Sequence, residues 1–367
     1  MRVALIHPVY WPEVHRGSER IVHDIGARMA GGGHEVVLLT SHPDSHAEDI
    51  EDGMRVIRCR RPPRPPGMGL YELFLKTLPD VVWRLSRGAF DVAHAFHLSS
   101  AFAACVARRF GGPPIAYSFH GLATRTYIVA RRRRLEMLER SVAAADVTTV
   151  LSEAAADMFA RHLFVQPEVL PAGVSLEEFP PAPARHESPT LLCAASYTDP
   201  RKRVPFLLHA FAELRRNRPN ARLLVADNPD PSIAGKRPRL PEGAEWVDLN
   251  APGALADAYG RAWATVLPSV EEAQGMVLLE SLAAGRPFVA AASGAPPEIH
   301  ANRNEIGRIF FPDDGAALVE ALDEALCLRQ NVGTEGACRA RATDFSWQRL
   351  MPAHERLYER VASGLRS

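Results

Sequence analysis

The chain is predicted to be an α/β protein built from two doubly wound parallel-sheet domains in series, and three observations predict it. Short apolar runs of strand length alternate with longer runs whose apolar residues recur at helical spacing. The alternation breaks at residues 167–189, which carry Pro167, Pro171, Pro180, Pro181, Pro183 and Pro189, and then restarts. The length of 367 residues exceeds one ordinary core and suits two.

In chain order, VALIHP at residues 3–8 is a buried strand ending in a polar loop, and residues 18–30 place Ile21, Ile25 and Met29 on one helical face. Gly31, Gly32 and Gly33 stop that helix, and HEVVLLTS at 34–41 is the next strand. Residues 54–59 form a strand, and PPRPPGMG at 62–69 is a loop, because its prolines exclude regular structure. A helix over 70–85, a strand over 91–95, a helix over 99–109 and a strand over 115–121 follow. The first half closes with a helix over 131–144 and a strand over 146–151. Beyond the proline break, strands are expected at 190–196, 221–227, 245–249, 264–269 and 288–292. Helices are expected at 204–217, 255–261, 277–284, 314–327, 337–343 and 347–362. Apolar strands alternating with helices argue a parallel sheet covered on both faces. In such open sheets ligands bind beyond the carboxyl ends of the strands, so residues just after strands are the candidates.

Composition narrows the function classes. Lys plus Arg and Asp plus Glu both number 43, so no global charge attracts nucleic acid or an anionic membrane, and no basic-aromatic module appears. The N-terminal apolar run is too short for a signal peptide, and no window has the roughly 18 uncharged apolar residues of a spanning helix. Cys59, Cys105, Cys193, Cys327 and Cys338 form no CxxC pair and read as buried small hydrophobes in a reducing, cytoplasmic compartment. No His/Cys/Asp cluster has metal-ligand spacing.

Several stretches carry chemistry. Gly17 precedes a helix that starts near Ser18, where free backbone N–H groups suit a phosphate; a turn residue beside an N-capping Ser18 is the other reading. His120 ends a strand within SFHG, open both to a cleft role and to a structural one. RRRR at 131–134 reads as a solvated face or as a site for an acceptor phosphate or lipid headgroup. SYTDPRKR at 196–203 sets Arg201, Lys202 and Arg203 in a loop after a strand, where a diphosphate would be neutralised. The richest stretch is SVEEAQGMVLLESLAAGRPFVAAASGAPPE at 269–298. It puts Glu272 in the loop after a strand, Glu280 in a helix starting near Gly275, and Glu298 in a tight loop with Gly294, Pro296 and Pro297. A carboxylate accepts two hydrogen bonds from a vicinal diol, and Gly275 lets backbone approach a ligand.

These motifs, in this order, resemble a retaining glycosyltransferase of the GT-B fold in the large family-four class, and the match covers nearly the whole chain. RGSER holds the family glycine at Gly17 with Arg16 in place of the first of two glycines; SFHG carries the cleft histidine; LSE and LPAGVSLEEF lead into the second domain. AASYTDPRKR puts Lys202 on the family lysine and Ser196 where an arginine is usual, with Arg201 a candidate substitute. EEAQGMVLLE is the paired-glutamate motif, with Gln274 in place of the usual aromatic.

The resemblance implies two Rossmann-like domains facing across a cleft. Residues 1–173 would form the acceptor-side domain, 186–348 the nucleotide-sugar domain, and helix 349–367 would pack back on the first. It implies that His120, Glu272 and Lys202 act in catalysis, and that Gly17, Arg201, Lys202, Glu272, Gln274, Gly275, Met276, Val277 and Glu280 bind the donor. The donor would be a UDP- or GDP-linked sugar, the metal dispensable, and Glu280 would take the ribose hydroxyls. The acceptor is expected to be a small or medium hydroxylated molecule, such as a natural-product aglycone or aminocyclitol. Its rim would include residues 62–69, Tyr71, His97 and residues 121–127. A lipid or envelope-glycan acceptor, a nucleotide-sugar epimerase or phosphorylase, and a non-catalytic subunit are the rival readings; an oligomer is compatible with all of them.

Overall fold

A computed structural model describes residues 1–11, 13, 17–43, 46–63, 70–130, 133–180, 188–229, 235–251 and 253–364, the side chains of 70–73 excepted. The chain divides into two compact units, Met1–Pro171 with Leu350–Ser367, and Ala172–Arg349.

The first unit carries β1 (Arg2–Ile6), β2 (Glu35–His42), β3 (Ala47–Glu51), β4 (Met54–Arg60), β5 (Val92–Ala95), β6 (Ile115–Phe119), β7 (Val147–Val150) and β8 (Glu168–Val169). Their order is β3-β4-β2-β1-β5-β6-β7-β8, parallel throughout except for β3. The chain winds outward from β1 to β2 and β4, then returns to lay β5 on the other side of β1. The topological switch therefore lies between β1 and β5. Helices Gly17–Gly31 and Leu98–Arg108 begin in the loops beyond β1 and β5. Strands β1, β5, β6 and β7 are buried almost without interruption, as a sheet covered on both faces requires.

The second unit carries β9 (Thr190–Cys193), β10 (Arg222–Ala226), β11 (Ala244–Val247), β12 (Ala264–Leu267), β13 (Phe288–Ala291) and β14 (Gly307–Phe310), all parallel. Their order is β11-β10-β9-β12-β13-β14. This is the nucleotide-binding winding, with its switch between β9 and β12. Helices Val204–Asn217 and Met276–Ala283 start in the loops beyond those two strands.

Most expected elements stand within two residues of their predicted ends, and the differences have local causes. The expected helix over 70–85 is a 3-10 turn, Leu70–Thr77, followed by an α-helix from Leu78; Pro79 lacks an N–H and so belongs in a first turn, not an interior. Glu298 sits not in a loop but in the short helix Pro296–His300, which Pro296 and Pro297 open. Strand β3 was not foreseen, because AEDIE has no apolar alternation and packs as an exposed edge. It is turned onto β4 by Asp52 and Gly53, both at positive φ (47° and 80°). Of the expected helix over 131–144, residues 131–132 lie outside those described, and the helix runs Arg134–Ala144 behind a separate one at Arg125–Val129.

The last helix, Trp347–Ala362, serves both units in turn. In the second, Trp347 is buried against Gly173, where an added Cβ would lie 2.4 Å from the indole. In the first, Tyr358 lies 2.7 Å from His94 Nδ1, and Arg360 pairs with Glu168 at 2.7 Å. His94 Nε2 continues to the Ser118 hydroxyl at 2.7 Å, which meets that of Thr149 at 2.5 Å. This buried polar chain ties the C-terminal helix to three adjacent strands.

Candidate functional site

The switch between β9 and β12 in the second unit gathers the charged residues. The loop after β9 is shaped by Asp199, whose carboxylate accepts from the Arg201 N–H at 2.9 Å and from the Arg201 guanidinium at 2.7 Å. The Arg201 carbonyl then accepts from Val270 N–H (2.9 Å) in the loop after β12, so the two loops are laced together. That lacing brings Lys202 Nζ to Glu272 Oε2 at 2.6 Å, an ion pair with both side chains mostly shielded from water. Ser196, in the place of the family arginine, has its hydroxyl 3.2 Å from that of Thr198.

Glu272 is held by its own backbone. Its N–H donates to Ser293 O (3.3 Å) and its carbonyl accepts from Ala295 N–H (2.9 Å), a parallel bridge to the loop after β13. Gly294 makes this approach possible: its φ is +81°, and a Cβ there would sit 2.1 Å from Glu272 O. Gly275, at φ +85°, caps the helix Met276–Ala283, and the first N–H groups of that helix belong to Met276 and Val277. Glu280, one turn further, is buried, and the Tyr259 hydroxyl donates to its Oε2 at 2.7 Å. The Gln274 amide is spent on the backbone: Nε2 donates to Ala172 O (2.7 Å) and Oε1 accepts from Ala172 N–H (3.1 Å).

The switch of the first unit gathers histidines instead. His7 follows β1, His97 follows β5 and His120 follows β6. Ser18, in the first turn of Gly17–Gly31, bridges two of them, with Oγ 3.2 Å from His7 Nε2 and 3.0 Å from His120 Nδ1. His97 Nδ1 accepts from Ser99 N–H at 3.2 Å and caps Leu98–Arg108. Burial pushes His120 down to about 3, the His7, His354 and His97 rings adding to the effect. Burial likewise pushes His97 down to about 3. Both rings are neutral at physiological pH and so offer one donor and one acceptor nitrogen each.

Residues 15–178 match the family Glycosyltransferase Family 4, and residues 188–327 match Glycosyl transferases group 1. The sucrose-phosphate synthase of Thermosynechococcus elongatus superposes with a TM-score of 0.84 at 22% identity, over 99% of each chain. The chain is a glycosyltransferase of the GT-B fold. Among sequence relatives, an MMP alpha-(1->4)-mannosyltransferase of Mycolicibacterium hassiacum is 27% identical over 98% of both chains. A D-inositol 3-phosphate glycosyltransferase of Streptomyces bingchenggensis is 27% identical over 76% of this chain and 68% of its own.

In this glycosyltransferase the expected donor residues Arg201, Lys202, Glu272, Gln274, Gly275, Met276, Val277 and Glu280 all fall on the two loops and one helix beside the β9–β12 switch. Gly17 and His120 belong to the first unit. Sequence reasoning missed Asp199 as organiser of the cationic loop and Tyr259 as the donor to Glu280. It also missed His7, which position after the first strand would have flagged. Of the acceptor rim, residues 64–69 and the Tyr71 side chain lie outside those described; Tyr127 packs edge-on to Phe119 at 5.4 Å. Of the arginine cluster, 131–132 lie outside those described. Arg134 donates to Tyr127 O at 2.8 Å and stacks over the Tyr127 ring at 4.4 Å. Among the described residues no His/Cys/Asp/Glu group could hold a metal, and no helix is long and apolar enough to cross a membrane.

Proposed function

We propose that this glycosyltransferase moves a sugar, with its configuration retained, from a UDP- or GDP-linked donor to a hydroxyl of a small polyhydroxylated acceptor of the cyclitol or sugar-phosphate class. The observation that carries the reading is the meeting of Lys202 and Glu272 from two loops at the β9–β12 switch. A cation there neutralises the departing diphosphate, and a carboxylate beside it takes sugar hydroxyls. Glu280, steadied by Tyr259, accepts from the ribose diol. The Gly17 N–H adds to diphosphate binding, and His120 addresses the transferred sugar. No carboxylate serves as nucleophile; the acceptor hydroxyl enters on the face the diphosphate leaves. The acceptor class is supported by relatives named for inositol phosphate and by the balanced charge of the chain. A cytoplasmic location is part of the proposal, supported by five free cysteines.

A thermal-shift screen against UDP, GDP, ADP, TDP and their sugars tests the donor, because a ligand of the folded state alone raises its melting temperature. One diphosphate should raise Tm in the native chain and lose most of the shift in Glu280→Gln. Anomeric proton couplings of the product should show the α-linkage of the donor. No shift with any nucleotide, or a β-linked product, overturns the reading.

A further inference from the structure

The hydrogen bonds around Ser18 have a direction. His7 Nδ1 lies 2.6 Å from the carbonyl of Val9, and a carbonyl only accepts. Nδ1 of His7 therefore carries a proton, and in the singly protonated ring Nε2 is an acceptor. The Ser18 hydroxyl, 3.2 Å away, donates its single proton to that nitrogen. Ser18 Oγ then has only lone pairs to offer His120 Nδ1 at 3.0 Å, so Nδ1 of His120 must be the N–H. The remaining nitrogen, His120 Nε2, has no hydrogen-bond partner among the described residues and is left as a lone pair. Each group in the series uses one proton, and all of them sit on the first unit beside its topological switch.

We propose that Ser18 and His7 are positioning residues that set the tautomer of His120, so that Nε2 meets the substrate as a hydrogen-bond acceptor. A histidine in this form takes a hydroxyl proton and cannot donate to a ring or glycosidic oxygen. The ring thereby selects a sugar that presents an O–H to it and discriminates against the deoxy or fluoro analogue at that carbon. A site built to pair with a hydroxyl penalises the analogue lacking it, because its own polar atom is then stranded. Phe96, whose ring centroid is 5.3 Å from that of His120, restrains the ring plane. The tautomer stands on geometry; its consequence for turnover rests on the glycosyl-transfer reading above.

The test is nitrogen-15 histidine labelling of the full chain, read by long-range proton–nitrogen correlation at neutral pH, with His120 assigned by comparison with His120→Gln. The native chain should show a protonated Nδ1 and an unprotonated Nε2 at His120. Ser18→Ala should move that ring to the Nε2–H form, and Ser18→Thr should restore it. In turnover, Ser18→Ala should lower kcat by about tenfold, the worth of roughly one hydrogen bond, with Kd for the nucleoside diphosphate unchanged and Ser18→Thr recovering the rate. A native His120 with the proton on Nε2, a doubly protonated His7, or a tautomer indifferent to Ser18→Ala overturns the proposal. If the tautomer behaves as stated and the native chain transfers no sugar, the relay stands and the glycosyl-transfer reading fails.

Discussion

Lys202 and Glu272 neutralise one another, so each reports on the other when removed. Lys202→Ala should weaken nucleoside diphosphate binding and cut kcat by about 10²–10³-fold, the scale of losing one preorganised charge on a leaving group. Its melting temperature should fall as well, because the pair is mostly shielded from water and Lys202→Ala leaves the Glu272 carboxylate without its cation. Glu272→Gln should act in the opposite sense on binding. It releases Lys202 for the phosphates, so the free diphosphate binds more tightly while turnover of the nucleotide sugar falls. Calorimetry beside steady-state rates separates the two, and equal loss of affinity in both variants would argue against the pairing. Arg201 faces a different test. Its guanidinium is engaged by Asp199, so Arg201→Ala should disturb the loop more than the charge, and Asp199→Asn should reproduce much of its effect. Such pairings across two or 70 residues are invisible to composition; only the order of the motifs hinted that Lys202 and Glu272 share a site.

Elements carry the site through a few tight turns. Gly294→Ala would drive a methyl into the Glu272 carbonyl and also force a residue with a Cβ to φ +81°. We expect a loss of about 1–3 kcal/mol of stability, measured by chemical denaturation, and a fall in kcat from displacement of Glu272. Gly336→Ala makes the same chemical change within the helix Thr334–Thr343, with open space around the new methyl, and should be neutral or stabilising by about 0.5–1 kcal/mol. Were the two variants equally destabilised, steric conflict at Gly294 would not be the cause. Most strands and long helices were legible because an apolar face or run repeats at a fixed period; the helix Glu153–Leu163 and the strand Gly307–Phe310 were not read from it. The edge strand β3 was not, since an exposed acidic ribbon lacks any such period. Its signature in the sequence is the Asp52–Gly53 turn, a dipeptide that suits the positive φ of a hairpin. The short helix at Pro296–His300 was hidden for another reason: proline signals a break and a first turn alike, and only its neighbours decide between them.

At the scale of the molecule, the first unit concentrates histidines kept neutral by burial. His94 lies well below its ordinary value, His97 and His120 fall to about 3, and His354 to about 4. In the unfolded chain each binds a proton near pH 6.5. Over the window from about 6.5 down toward 3 to 4 the unfolded state therefore holds more protons than the native one, and stability falls as pH falls. His23 works in the other direction: burial lowers it, but hydrogen bonds to Asp24 and Asp52 leave it raised, one group against four. Among the described residues of the second unit only His300 is lowered. Scanning calorimetry at pH 7.5, 6.0 and 5.0 should show the first unit losing stability faster on acidification. Coincident loss in both units would show that they melt as one. Tyr358→Phe should cost about 1–3 kcal/mol, because it strips a buried partner from His94 at the seam between the last helix and the sheet.

The sequence by itself determined the two α/β halves, the helix that ends the chain, the loops that bear Lys202 and Glu272 and the helix that bears Glu280. Periodicity, proline placement and the strand-end rule act locally, so a linear reading recovers them. Tertiary structure alone decided the partners. Asp199 claims Arg201, Tyr259 reaches Glu280 across 21 residues, Gln274 turns to the Ala172 backbone, and Ser18 joins His7 to a histidine 102 residues away. These contacts arise where parallel strands bring distant loops to one sheet edge. A hydrogen bond then depends on tenths of an ångström between groups whose separation along the chain carries no information about their distance in space.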